Sequence, residues 1–136
     1  MTTETLTLER AQWSDEAATF LARSCRKTPL VTPQDYRDLL AVDPRARLYR
    51  GVVGDRTVAY GILRVVHFSG GAEGEIVAVA GRLPGVDLVD AFLPALEAEL
   101  PNVVCFRFTT ARRGLVEKMR RHGYYVTHVT LRKLVT

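Results

Sequence analysis

The sequence predicts an α/β domain: a central mixed sheet of about six strands flanked by four helices. Three observations predict it. The 136-residue chain lies in the size range of one domain with one core. Two-residue and 3.6-residue apolar periodicities alternate along it in the order β, α, α, β, β, β, α, β, α, β. The stretch from Glu75 to Phe108 reads strand, helix, strand, a crossover unit that is right-handed and parallel in nearly all proteins. With 47% hydrophobic and 25% charged residues the composition excludes a disordered chain. No repeat, low-complexity run or linker divides the sequence, so residues 1–136 are read as a single domain.

Thr3 to Glu9 alternates polar and apolar through Leu6 and Leu8, as an edge strand with one buried face does. Ser14 then stands as an N-cap, with Asp15 and Glu16 favourably placed in the first turn and Ala17, Ala18, Phe20 and Leu21 forming an apolar stripe. This predicts a helix over about 15–25. A second helix opens with Thr32 as cap, Pro33 at the first position and Asp35 at the third, and closes at Asp43 and Pro44. Leu48 to Val53 and Thr57 to Val66 are β-rich and separated by Gly54-Asp55-Arg56, the signature of an antiparallel hairpin. After the turn Ser69-Gly70-Gly71-Ala72, Glu75 to Ala80 is small and apolar throughout, the pattern of a strand covered on both faces.

Gly81 to Asp87 reads as a loop, and Leu88, Phe92, Leu93, Leu96 and Leu100 recur at helical spacing. The start of this third helix is open between caps at Asp87 and at Asp90, because Pro94 would lie in the interior of the first and near the first turn of the second. Val103 to Phe108 is a further strand. Ala111, Leu115 and Met119 give a fourth amphipathic helix that Gly123 ends, and Tyr124 to Val135 is extended, the sixth strand.

Cys25 and Cys105 fall on a helix and a buried strand without any CxxC or Cys/His spacing, which predicts two buried free thiols, no disulfide and no metal site. No apolar run reaches the roughly 20 residues of a membrane span, and MTTETLTLER lacks the regions of a signal peptide, so a cytoplasmic protein without membrane partners is expected. Charge is uneven: residues 107–136 carry eight basic side chains against Glu117 alone, whereas the first 106 residues are net acidic. A positive field over the C-terminal quarter suits an anionic partner such as a coenzyme, a nucleotide or nucleic acid, or is a solvated helix face. For nucleic acid, Arg113, Arg120 and Arg121 can align on one helix face while Lys118 points elsewhere, and no nucleic-acid motif accompanies them. An exposed edge at the last strand would support a homodimer.

Two segments bring a family into view. Gly81-Arg82-Leu83-Pro84-Gly85-Val86-Asp87, at a strand-to-helix junction, resembles the Arg/Gln-x-x-Gly-x-Gly/Ala coenzyme loop of the GNAT acyltransferases, and LVEKMRRHGY, Leu115 to Tyr124, is similar to that family's late helix ending in Gly and an aromatic residue. With the element order, the resemblance covers nearly the whole chain. It implies the GNAT-like acyl-CoA N-acyltransferase fold and transfer of an acetyl or other acyl group from acetyl-CoA, the co-substrate, to an amine acceptor that the sequence does not identify. No metal is implied. Small divergent proteins of this type are also encoded by bacteriophages.

Under that resemblance Val79, Gly81, Arg82 and Gly85 bind the coenzyme, with the loop amides and helix dipole facing its pyrophosphate, and Arg112 and Arg113 add phosphate contacts. Glu73 and Glu75 stand where the family places a carboxylate base for the amine. Two positions depart. Asp87 replaces a small residue and either repels phosphate or caps its own helix. Met119 occupies the position of a tyrosine that protonates the departing thiolate, leaving as donor water or a nearby hydroxyl, with Tyr124 and Tyr125 as candidates. His67, His122 and His128 have no orienting partner visible in the sequence. A protein of this fold that binds a partner without catalysis, or a basic nucleic-acid-binding module, are the alternative readings.

Overall fold

Short local signals set the helices. In the computed structural model, which describes residues 5–27, 30–85, 87–110 and 112–135, the first helix α1 (Asp15–Leu21) is capped by Ser14, whose Oγ accepts a hydrogen bond from the Ala17 amide at 3.1 Å. It turns into a 3₁₀ helix (Ala22–Lys27) instead of continuing to residue 25, because the Ser24 hydroxyl donates to the Leu21 carbonyl three residues back at 2.9 Å and tightens the turn. Helix α2 (Pro33–Val42) starts where the Asp35 carboxylate accepts from the Thr32 amide at 2.8 Å.

Five strands form one sheet in the order β1 (Leu6–Arg10), β2 (Ala46–Val53), β3 (Arg56–Phe68), β4 (Gly71–Gly81), β5 (Cys105–Phe108). The first four are antiparallel neighbours, and β4 and β5 are parallel, joined by α3 (Leu88–Ala98) as the crossover unit requires. Gly54 and Gly123 have φ of +60° and +88°, as the hairpin and the end of α4 (Arg113–Arg120) need. The glycine-rich turn is shorter than its composition suggests: Gly71 already belongs to β4 and pairs with Phe68. Residues 3 and 4 of the first strand and Ala111 of the fourth helix lie outside the described residues.

Two expectations are corrected. Residues 124–135 form no strand, so among the described residues the sheet has five strands and not about six; alternation makes that backbone extended, but without a partner strand there is no ladder to hold it. The thiols are not both buried: Cys25 is half-buried, and Cys105 is exposed because β5 is the sheet edge and its outward face carries no helix.

Helices cover both faces of the sheet, which gives two apolar clusters. Beneath α3 and α4 lie Tyr49, Leu63, Ile76, Phe92, Leu93, Leu96 and Met119; beneath α1 and α2 lie Leu21, Tyr36, Leu48, Tyr60, Ile62 and Ala78. Strand β4 supplies both by means of a bulge. Ile62 pairs with Ala78 and Leu63 with Ile76, so Val77 is an extra residue and the side chains beyond it change face. Ile76 thus faces α3 and Ala78 faces α1, two residues apart. Leu96, fully buried at the centre of the first cluster, tests this core. Leu96→Ala is expected to lower the unfolding free energy by about 2–5 kcal/mol in urea titration; a loss under about 1 kcal/mol, within the range of surface substitutions, would contradict the assignment.

Candidate functional site

Strand β5 pairs with β4 only from Glu73 to Ile76, whereas β4 continues against β3 through Gly81. Beyond Ile76, whose partner Phe108 is the last residue of β5, β4 runs on without a neighbour on that side among the described residues. The opening is a cleft of about 470 Å³ between β4, β5, α3 and α4. Its buried lining is apolar and includes Ile76, Phe92, Leu93, Leu96 and Met119; its outer part carries Arg82, Asp87, Arg112 and Lys118.

The loop after β4 is held to the sheet at its first residue, where the Arg82 amide donates to the Val58 carbonyl at 2.8 Å. Gly81 permits this approach: a Cβ there would stand 2.6 Å from the Val58 carbonyl oxygen and 2.7 Å from Ala59 Cβ. Gly85 turns the loop with a φ of +78°, a conformation that side chains disfavour. Asp87 begins α3, which settles the open start: its Oδ1 accepts from the Val89 amide at 3.0 Å, and Pro94 sits inside the helix on its exposed side. The carboxylate also holds one cation of α4 and one at its C-terminal cap, with Lys118 Nζ at 3.4 Å and Arg121 Nη2 at 3.9 Å from Oδ2. Partial burial works to raise its pKa, but the Val89 amide and then Lys118 and Arg121 outweigh it, and the net displacement is below the usual carboxylate value. Lys118 and Arg121, one turn apart, therefore converge, although the helix-face reading had separated them.

The residues singled out in the sequence are distributed as follows. Val79, Gly81, Arg82 and Arg112 line the cleft, while Gly85 and the exposed Arg113 lie outside its lining; Val86 is outside the described residues. Glu73 and Glu75 sit on the paired half of β4 within a chain of ions. Arg107 lies 3.3 Å from Glu73 and 3.1 Å from Glu75 Oε2, Arg64 lies 2.7 Å from the same Oε2, and Arg64 also reaches Asp43 at 3.5 Å. Tyr124 does not line the cleft. Among the described residues its buried hydroxyl has no hydrogen-bond partner, and burial first, then the nearby Glu97 carboxylate, push its pKa far above the tyrosine norm.

Tyr125 is exposed, and His122 has a partner that the sequence does not reveal, Asp90 of α3, 2.7 Å from its Nε2. Lys118 was missed as a cleft residue. Its signal was present: Arg112, Leu115 and Met119 form one helical stripe, and Lys118 adjoins it. Met119 is buried in the cleft wall, where its thioether offers no proton.

Neither a protein-family profile nor a curated protein sequence matches the chain. Solved structures do. A possible acetyltransferase from Clostridium difficile 630 superposes with a TM-score of 0.69 at 15% identity, over 98% of this chain and 99% of the other. A ribosomal-protein-alanine N-acetyltransferase from Brucella melitensis biovar Abortus 2308 gives 0.65 at 14% identity, over 97% and 98%. A Bacillus subtilis acetyltransferase in complex with CoA gives 0.67 at 16% identity, over 91% and 79%. Among the described residues no helix is long and apolar enough to cross a membrane.

Two measurements test the site's electrostatics. Asp87→Ala, which removes the cap, is expected to cost about 0.5–2 kcal/mol of stability, and Asp87→Asn, which can still accept from the Val89 amide, distinctly less; equal losses would mean that the cap is not what Asp87 contributes. Asp43 is held at a pKa of about 2, against the usual 3.8, first by the Arg45 guanidinium hydrogen bond and then by the Arg45 amide, with burial opposing and Arg64 adding to the depression. A depressed carboxylate stabilises the fold fully above its unfolded pKa, and that contribution fades as pH falls from about 4 to about 2. Acid unfolding of Asp43→Asn should be flatter than wild type across that window; identical profiles would remove Asp43 from the account.

The agreement over nearly the full length, the five-stranded mixed sheet with four helices and the β4 that runs on past its pairing with β5 establish that this chain has the GNAT acetyltransferase fold.

Proposed function

We propose that the protein is an acyl-coenzyme A dependent N-acyltransferase that moves an acetyl or related acyl group to an amine. One observation carries the reading: the cleft where β4 runs on past β5 is apolar inside and cationic at its outer part. Such a site matches a ligand with a slender arm and a phosphate-bearing end. Arg82, Arg112 and Lys118 supply charge for phosphates, and among the described residues the Leu83 and Gly85 amides have no hydrogen-bond partner, leaving them as donors at the start of α3. Asp87 does not spoil the site, because its carboxylate is occupied by its own helix and by Lys118 and Arg121.

The coenzyme would bring the acyl group as a thioester. In the transfer the amine nitrogen bonds to the thioester carbonyl carbon, the carbon–sulfur bond breaks, the sulfur leaves with the bonding pair and takes up a proton, and the amine gives one up. We assign the backbone N–H at Val79, just past the bulge, to the developing oxyanion. Glu73 and Glu75 are the base candidates. Glu75 Oε2 already serves Arg64 and Arg107, so an incoming proton would be taken on Oε1 or passed through water.

A second reading retains coenzyme binding and drops turnover. Met119 favours it, since the residue in the cleft at the donor position has no proton to give and Tyr124 does not line the cleft.

Calorimetric titration with acetyl-CoA tests both. Micromolar binding is expected, weakened about tenfold or more in Arg82→Ala, the loss of one charged hydrogen bond. No heat at millimolar coenzyme would overturn both readings. Binding without product across an amine panel would select the second.

A further inference from the structure

The sheet face opposite the cleft carries charge beside its core. On β4, Gly74 and Ile76 face α3: a Cβ at Gly74 would stand 2.7 Å from the Phe106 ring, and Ile76 is buried in the cluster beneath α3. Alternation turns Glu73 and Glu75 to the other face, that of α1 and α2. There six side chains follow one another with alternating sign: Arg45, Asp43, Arg64, Glu75, Arg107 and Glu73, with successive contacts of 3.1, 3.5, 2.7, 3.1 and 3.3 Å. Asp43 and Arg45 follow α2, Arg64 is on β3 and Arg107 on β5, so the fold gathers the chain of charges from four elements.

Two features of this chain of charges point to a ligand. Stability accounts for little of it, because ion pairs partly in water contribute modestly. Its place is the end of the cleft: Glu75 precedes Ile76, where the ladder between β4 and β5 ends and the cleft begins. Glu75 and Arg107 are also not used up by each other. Both guanidinium contacts of Glu75 fall on Oε2, leaving Oε1, and Arg107, 52% exposed, engages through Nε and Nη2, leaving Nη1. A carboxylate and a guanidinium 3.1 Å apart thus each keep an unused valence beside the cleft.

We infer that the acyl acceptor is a free α-amino acid, its ammonium on Glu75 Oε1 and its carboxylate on Arg107. The inference rests on the N-acyltransferase reading above and names its amine. In an α-amino acid the two charges are one carbon apart, and they lie head to tail against a carboxylate and a guanidinium that are themselves in contact, so each charge meets its opposite. The balance of the six side chains disfavours other amines. Three guanidinium groups offset three carboxylates, so a polyamine finds no net negative field. A chain N-terminus or an amino sugar fills Oε1 and leaves Arg107 without its anion. In the transfer the amino nitrogen bonds to the thioester carbon and the carbon–sulfur bond breaks. Of the two protons the ammonium loses, one ends on the coenzyme sulfur and one in solvent, and the product is an N-acyl amino acid.

The test measures acetyl transfer from acetyl-CoA to the common L-amino acids, each beside its carboxamide, and to a diaminoalkane. The best amino acid is expected to exceed its carboxamide about tenfold or more in kcat/KM, the worth of one charged hydrogen bond. That ratio should fall toward one in Arg107→Gln and return in part in Arg107→Lys, which keeps the charge and loses the fork. A carboxamide or the diaminoalkane that matches the best amino acid, or a ratio unmoved in Arg107→Gln, overturns the inference and leaves acyl transfer standing. If no amine is acylated, the acyltransferase reading fails instead, and calorimetric titration of the amino acids, with and without coenzyme A, decides the site. Amino acid binding that weakens about tenfold in Arg107→Gln supports it; no binding at millimolar amino acid overturns it.

Discussion

Strand β4 has partners on both sides for only four residues. From Glu73 to Ile76 it is held by β3 and β5; beyond that, β3 alone holds it as far as Gly81. Most of the candidate site follows from this one asymmetry. The side of β4 that faces away from β3 opens onto the cleft, and the side chains on the α3 face line it without filling it. The bulge at Val77 lies at the same place and turns Ile76 and Val79 toward α3 while Val77, Ala78 and Ala80 face α1. One extra residue thus lets a single strand serve two cores at the point where it loses its neighbour.

Charge at the cleft is balanced by the same residue that starts the helix. Asp87 accepts from its own helix through Oδ1 and holds Lys118 and Arg121 through Oδ2, which ties α4 to the beginning of α3; His122 and Asp90 tie the two helices again. The wall opposite β4 is therefore fixed by ion pairs that are at least partly in water, and each contributes modestly. What keeps α4 in place more firmly is Met119, buried in the core beneath it. The thioether that is silent as an acid packs well as an apolar side chain.

The helices were legible because their signals are local: Ser14, Thr32 with Asp35, and Gly123 each act within a few residues, and each is found where the spacing puts it. The start of α3 was legible only to within three residues, since Asp87 and Asp90 are both good caps and the interior proline argued for the wrong one. The bulge was not legible. Ile76 to Ala80 is small and apolar throughout, so a change of face leaves no polar residue to mark it. The last segment shows the opposite limit. Period two reports an extended backbone and says nothing of whether an edge is there to receive it. Of the site, Arg82 and Arg112 could be placed from motif and element order, but the Asp87 pairs and the ion chain around Glu75 join residues that only the folded sheet brings together.

These placements bear on how protons would move in the proposed reaction. Glu75 Oε2 is engaged by the Arg64 and Arg107 guanidinium groups, which leaves Oε1 or a water to take a proton from the amine. A phenol that is buried and beside a carboxylate, as Tyr124 is beside Glu97, is well suited to keeping its proton. Tyr124 is thus not tuned toward neutrality, the condition under which general acids and bases work best at physiological pH. Solvent can still do both tasks, because an amine conjugate acid and a leaving thiolate exchange protons with water readily once the cleft has brought nitrogen and thioester together. Catalysis in this chain would then rest on positioning and on the backbone donor at Val79, with proton transfer left to water. A cleft that binds and aligns with little acid–base chemistry of its own is what joins the two functional readings: they share every contact in the binding site and differ only in whether an amine reaches it.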